Sequence, residues 1–501
     1  MSEVDFSPEC EPCAKEIDRL IASKDYDALA TYVLQQEKSY ADNNDLQISP
    51  IFYYIGTGNS ALAHHYDRST SAEKQQLAKE HRKKALFYFR KAISILESND
   101  NTQAILLPIY TNYANELDFC NRVIEALRIY RKALTISGSF GMAVANFGRT
   151  ISRYADRVND PYHFRELHCH AYQTMKKALD VKDASMHTEA IAAFEKQLES
   201  YESRFNKSIL SAPITYPQYD MGSREESEYR LWCLQHHLFL NPLNDLIELE
   251  SAFAYDPLAI IQYTEQADRD GVGVDEEKEG TPPKWFAMLN QLKEEFIYAR
   301  FLCYEGAEKY TEPHYADRDV VLSLANYEHA NYSIRLEQLK SAFRIAYSLF
   351  DQIAFMINEF WNLGFCEHDA DAYHVFTKCD RYPTDNVALI ALYWGYHEFA
   401  KGFIKGASAS EKEVKTLRHA LEHKFVQIHE YPYPNELQIM DDRFYHICES
   451  NLQEQVLHIL TLAREWIMEL VYAIGIEERK NQGNEYVVRM ELADYDDQWK
   501  L

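Results

Sequence analysis

Several absences narrow this chain before any motif does. No run of eighteen uncharged apolar residues occurs among its 501 positions, so nothing in it reads as a membrane-spanning helix. Residues Met1 to Pro8 have neither a basic start nor an apolar core, which argues against a secretory signal. Glycine and proline are scarce, at 16 and 15 positions, so most of the chain should fold and most of that should be helix. The nine cysteines are scattered through apolar helical patterns instead of forming a paired framework. They read as reduced thiols and place the protein in the cytoplasm. Positive charge is also short. Lys and Arg total 52 against 78 Asp and Glu, a formal charge of −26 at pH 7. Such an acidic body repels polyanions at long range, which argues against nonspecific binding along a duplex. A local cationic site remains open to nucleic acid, and the acidic bulk would confine it there.

What is present is a helical chain long enough for two to four domains. Residues 14–210 read as stacked helical pairs. Ala85 to Ile93 is echoed by Ala126 to Leu134 and by Ala171 to Leu179. Each copy has a small residue, an aromatic or Met four later, and Ala three after that. Small residues there let two helices approach closely, and the large one fills the gap between pairs. The preceding helices echo too: Asn112-Tyr-Ala114 and Asn146-Phe-Gly148 stand 34 residues apart, the tetratricopeptide period. Tyr54-Ile-Gly56 reads as an earlier copy and Glu189 to Phe194 as a degenerate later one. This region resembles the tetratricopeptide (TPR) family, with departures from strict period at 64–80 and 155–166. The resemblance implies a concave surface for a protein or peptide partner.

Prolines and a glycine in residues 208–223 read as a domain connection. That divides the chain into a repeat domain, 1–215, and a second helical domain, 216–501. An acidic loop follows, with Asp268, Asp270, Gly273 and Glu279 at calcium-loop positions one, three, six and twelve. Val272 stands where a fifth-position oxygen is needed, so a surface loop is the better reading. Apolar-periodic segments then run over about 284–305, 332–362, 385–430 (interrupted near 402–410) and 442–478, the outline of a helical bundle. Arg300, Arg344 and Asp351 are embedded in its most apolar stretches; they either pair or face a groove. The tail from Asn481 reads as weakly ordered, with Tyr486-Val-Val-Arg-Met490 able to dock.

Residues 411–430 read as one amphipathic helix, opened by a Ser410–Glu413 capping box. Val414, Leu417, Leu421, Phe425 and Ile428 form its apolar seam. Arg418 falls beside that seam and His423 nearly opposite it. A solvated surface face fits this pattern, as does a face that meets another helix. The functional alternative is a phosphate-holding cation and an acid/base presented together.

Arg418-His-Ala-Leu-Glu-His423 resembles the Arg-x(4–6)-His signature of HEPN domains, α-helical bundles found in many RNases. Residues 228–478 resemble the HEPN subfamily that follows tetratricopeptide arrays. The pieces that carry the likeness are Phe239 to Asp245, Ala299-Arg300, His314 to Asp319, Ala342 to Asp351, Ala391 to Trp394 and Leu421 to Phe425. The expected fold is therefore all-α: a TPR-like helical repeat array followed by a HEPN-like helical bundle. The resemblance implies a metal-independent endoribonuclease acting on RNA, homodimeric or higher, with paired signatures facing across a two-fold axis. Arg418 would hold the scissile phosphate, and His423 would act as general base or acid at the ribose 2′-OH or the leaving oxygen. The products would be a 2′,3′-cyclic phosphate and a 5′-OH. His419, Glu422, Arg300 and Arg344 are the auxiliary candidates. No metal or other cofactor is implied. Such architectures serve in toxin and antiphage systems; other HEPN domains are silent binding partners.

His419 departs from the family, which often has a small polar residue after the Arg. With His423 it has metal-compatible spacing but no third ligand in sight. Cys10-Glu-Pro-Cys13 lacks a second pair, and Gly56-Thr-Gly58 lacks the lysine of a phosphate loop. His168-Cys-His170 reads as a turn of helix. His64-His65, His236-His237 and His397-Glu398 read as surface residues.

Overall fold

A computed structural model describes residues 6–41, 43–181, 186–247, 249–265, 284–308, 313–322, 330–401, 409–431, 443–481 and 486–489. The chain is all-α in class, with a few short strands. It forms two compact units. One comprises residues 1–156, 161–214 and 393–411; the other comprises 157–160, 215–392 and 412–501.

In the first unit the helices run as Cys10–Ser23 (α1), Tyr26–Ser39 (α2), Ser49–Asp67 (α3), Ala72–Leu96 (α4), Gln103–Phe119 (α5), Val123–Ile136 (α6), Gly141–Ala155 (α7), Pro161–Val181 (α8), Thr188–Arg204 (α9) and Lys207–Leu210 (α10). Neighbours pack as α3 on α4, α5 on α6 and α7 on α8, a stacked array of helical pairs. The repeated small–large–small pattern explains the stacking. Ala85, Phe89 and Ala92 on α4, Ala126, Tyr130 and Ala133 on α6, and Ala171, Met175 and Ala178 on α8 are all buried. The partner helix leaves room for the large residue. A Cβ on Gly56 would stand 2.8 Å from the Phe89 ring, and one on Gly148 would stand 2.7 Å from Met175 Cγ. Glu398, expected at the surface, is instead buried. It pairs with Arg90 and Arg122, which offset the cost of taking a carboxylate out of water.

The second unit contains Arg224–Gln235 (α11), Lys284–Glu308 (α12), Ile334–Trp361 (α13), Ala372–Lys378 (α14), the start of Val387–Lys401 (α15), Ala409–His423 (α16) and Glu449–Asn481 (α17). Helix α11 opens with a full capping box between Ser223 and Glu226. Helices α12 and α13 cross closely, since a Cβ at Gly306 would meet Leu339 Cγ at 2.8 Å. Trp466 of α17 stands edge-on to Phe350 of α13 and Phe376 of α14, with ring centroids 4.7 and 5.3 Å away. Strands Gln262–Glu265 (β1), Ala330–Asn331 (β2), Phe425–His429 (β3), Phe444–Cys448 (β4) and Tyr486–Arg489 (β5) form two small sheets. β1 pairs antiparallel with β5. β3 pairs in parallel with β4, from Phe425 opposite Phe444 to His429 opposite Cys448, and β2 adds antiparallel to β3.

The helix expected over 411–430 is therefore shorter. The Lys424 N–H still closes on the Ala420 carbonyl at 2.9 Å, but the Phe425 N–H turns to the Arg443 carbonyl at 3.0 Å. Spacings of three and four at Leu421, Phe425 and Ile428 suit a helix. The local run Phe-Val-Gln-Ile-His is equally suited to a strand, and pairing with β4 settles it. Val414, Leu417 and Leu421 are buried as expected, whereas Phe425 is 70% exposed. The side chains of the Ser410–Glu413 capping box, the acidic loop at 268–279 and the chain beyond Arg489 lie outside what the structure describes.

Candidate functional site

Helix α16 carries the signature residues. Its buried edge is Val414, Leu417, Ala420 and Leu421. At about 100° per residue, Arg418, Glu422, His419 and His423 then share an exposed arc of about 140°. Glu422 links the two named residues. Its Oε1 lies 3.3 Å from Arg418 Nε, and its Oε2 lies 3.7 Å from His423 Nε2. The His419 and His423 rings sit one turn apart with centroids 4.9 Å apart.

Helix α13 supplies the other wall. Arg344, Tyr347 and Asp351 recur at steps of three and four and so share one stripe. The Arg418 guanidinium lies over the Tyr347 ring, 4.9 Å from its centroid. That is a cation–π contact, which orients a planar cation while leaving its edges open. Exposed Arg344 donates from Nη2 to the Leu421 carbonyl at 3.1 Å. This carbonyl is one of the last four of α16, which have no partner within the helix, so a cation there also answers the helix dipole. Asp351 accepts the Ala372 N–H at 3.1 Å at the start of α14. Its carboxyl is pushed above the ordinary range, mainly by burial and further by Asp371 and Glu422, with the Ala372 N–H and Arg418 pulling the other way. Burial also raises the Tyr347 phenol, against the pull of Arg418.

Arg418, His423, His419, Glu422 and Arg344 are thus brought together. Arg300 is not. It is 3% exposed, and its fork is taken by Asp256 at 3.0 and 2.8 Å. It also donates to the Leu238 carbonyl at 2.8 Å and to the Tyr229 hydroxyl at 2.9 Å. An Arg within an apolar run marks pairing here, because an unpaired buried guanidinium would be costly. Arg464, which the sequence reading passed over, does the same work from α17. It clamps Phe239, Asn241 and Asp245, while Arg300 bonds the preceding Leu238 carbonyl and lies over the Phe239 ring, so two buried arginines hold the Phe239–Asp245 piece of the resemblance. Tyr347 was also missed, though its offset of three from Arg344 and four from Asp351 was visible in the sequence.

The remaining candidates separate from this cluster. His168 is buried, with Nδ1 3.1 Å from the Tyr201 hydroxyl, and burial pushes its imidazole down to about 4. Cys10 and Cys13 are buried, and burial pushes the Cys13 thiol up to about 11. Neither has the character of a reactive thiolate. Among the described residues, no three His, Cys, Asp or Glu side chains converge as a metal site would require. Among those residues too, no helix is long and apolar enough to cross a membrane.

Residues 276–477 match a family model described as LA2681-like HEPN, which supports a HEPN domain in that segment. The matched span contains α12 to α16 and both residues of the Arg418–His423 signature, and it does not reach the helical array. No curated protein and no solved structure matches the chain significantly.

Proposed function

We propose that this HEPN segment is a metal-independent endoribonuclease in which Arg418 and His423 handle a ribose-phosphate link. The observation that carries the reading is that a guanidinium and an imidazole share the exposed arc of α16, with Arg344 added from α13, inside the span that matches the HEPN model.

The roles follow from the chemistry of the side chains. A guanidinium grips phosphate oxygens in a fork and stabilises the charge that builds on them during in-line attack. An imidazole titrates near neutrality and can take the 2′-OH proton or return one to the leaving 5′ oxygen. Attack by the 2′ oxygen breaks the P–O5′ bond and leaves a 2′,3′-cyclic phosphate and a 5′-OH. Arg418 rests on Tyr347 and so has its fork oriented before substrate arrives. Glu422 occupies the place a phosphate would take and must be displaced from Arg418. A second copy related by a two-fold axis would bring another Arg418–His423 pair to the same RNA. The helical array would bind a protein or peptide partner that controls cutting, and growth arrest by RNA cleavage would suit a toxin or antiphage effector.

A second reading is favoured by the Glu422 bridge itself. If that carboxylate is never displaced, the domain is a docking surface without catalysis. Incubating the full chain with total RNA in EDTA, beside His423→Ala, separates the two. Cleavage ends bearing a cyclic phosphate, lost in His423→Ala, are expected. A requirement for divalent metal, or cleavage that persists in the variant, overturns the mechanism.

A further inference from the structure

We infer that the start of the β3–β4 pair, next to the end of α16, is a base-stacking subsite that takes an unpaired nucleotide strand. This rests on the ribonuclease reading and names its substrate class. Phe425 follows His423 by two residues, so their Cα atoms lie within about 7 Å. Its ring is 70% exposed, on a strand whose later residues Ile428 and His429 are buried. Such exposure of a large ring costs free energy unless something covers it.

The neighbouring strand makes a platform of it. Phe425 and Phe444 are register partners, with ring centroids 5.8 Å apart and planes 35° apart. His446 continues the row, 6.3 Å from Phe444 with planes 32° apart. It is fixed in turn by a 2.9 Å contact between its Nδ1 and His429 Nε2. The Phe425 N–H bonded to the Arg443 carbonyl locks this register at the point where the helix ends.

The charges on these residues identify the occupant. Lys424 and Arg443, both exposed, directly precede the two phenylalanines, so each ring has a cation beside it in the chain. Arg418 and Arg344 add two more cations beside the end of α16, with Glu422 already set against Arg418, on a chain of formal charge −26. A protein partner would need no such alternation of ring and cation. A nucleotide strand does: bases stack on aromatic faces while cations track phosphates. A duplex hides its base faces in its own stack, so only an unpaired strand can use the platform. Because the acidic body adds no further phosphate contacts, binding should depend only shallowly on salt. Four contacts, from Lys424, Arg443, Arg418 and Arg344, on a single strand give a log–log slope of about −3.

The test uses the full chain and a fluorescein-labelled twelve-nucleotide strand with 2′-deoxy sugars, which has no 2′-OH to attack. Binding is followed by anisotropy. Phe425→Ala should weaken binding by about 5- to 150-fold, Phe444→Ala should weaken it less, and Phe425→Tyr should stay within about twofold. Phe301→Ala, which removes a ring exposed on α12 (42%), should change nothing. The same sequence as a duplex should bind at least about tenfold more weakly. Unchanged binding in a folded Phe425→Ala, equal affinity for duplex, or a strand that does not bind at all overturns the proposal. So does a change of oligomeric mass in Phe425→Ala without loss of binding, which would make the ring a contact between copies. If the strand binds through Phe425 but ribose RNA is never cut, the subsite stands and the nuclease reading falls.

Discussion

Replacing Arg464 by Met tests how the second unit holds the loop at 238–245. Arg464 is 1% exposed and donates from Nε to the Phe239 carbonyl at 2.6 Å, from Nη1 to Asp245 Oδ1 at 2.7 Å and from Nη2 to the Asn241 carbonyl at 3.1 Å. Met keeps the apolar stem and removes every donor. The Asp245 carboxylate, 6% exposed, then loses its guanidinium. Breaking a buried pair from one side costs about 3–5 kcal/mol, which corresponds to roughly 150-fold or more in local opening. Asp245→Asn should cost a comparable amount, because it strands the cation. The double variant strands no charge, so its cost should fall short of the sum by about 1–3 kcal/mol. Hydrogen exchange on the full chain is the suitable readout, since two compact units need not unfold together. The reporters are the amides of Leu240, bonded to Asp256 Oδ1 at 2.6 Å, and Leu243, bonded to Asn241 Oδ1 at 3.0 Å. Exchange in Arg464→Met within threefold of the parent, or single effects that simply add in the double, would refute the clamp.

Three further outcomes are expected. Gly148→Ala should destabilise the first unit by about 1–3 kcal/mol despite the better helix propensity of Ala, because the new Cβ meets Met175 N at 3.0 Å and the Ala171 carbonyl at 3.1 Å, both backbone. Gly138→Ala, whose Cβ meets only the Leu134 carbonyl at 3.7 Å, should be near neutral in the same urea titration. His168 contributes an acid limb. Its folded imidazole is held near 4 while an unfolded one titrates near 6.5, so the unfolded chain takes up the proton first. Stability is intact above about 6.5 and falls by up to ~3 kcal/mol as pH drops through that window to 4; His168→Gln should flatten this limb in unfolding midpoints measured against pH. Glu422→Gln should tighten binding of the 2′-deoxy strand by up to about fivefold, the worth of an exposed ion pair no longer competing for Arg418. Weaker binding would mean that Glu422 positions Arg418 instead of masking it.

Much of the array was legible because its packing is local. The Ala85–Phe89–Ala92 pattern and its two echoes place a large side chain against a small one on the adjacent helix, as Gly56 and Gly148 show. Short-range periodicity states such an arrangement directly. The signature pair was legible for a related reason, since both residues lie on one helix and its angle follows from spacing alone. Arg300 stood among the auxiliary candidates because sequence shows that a charge sits in an apolar run without showing its partner. Asp256 is 44 residues away. Glu398 was misread likewise, its partners Arg90 and Arg122 being hundreds of residues upstream.

By itself the sequence determined the helices, the repeat spacing and the arc that holds Arg418, His419, Glu422 and His423, because each depends on residues within a few turns of one another. Only the tertiary structure decided that the helix stops at His423, that Tyr347 and Arg344 complete the wall and that Phe425 faces out beside Phe444. Each of those outcomes turns on a hydrogen bond or ring contact between segments far apart in the chain, as when the Phe425 N–H leaves its own helix for the Arg443 carbonyl.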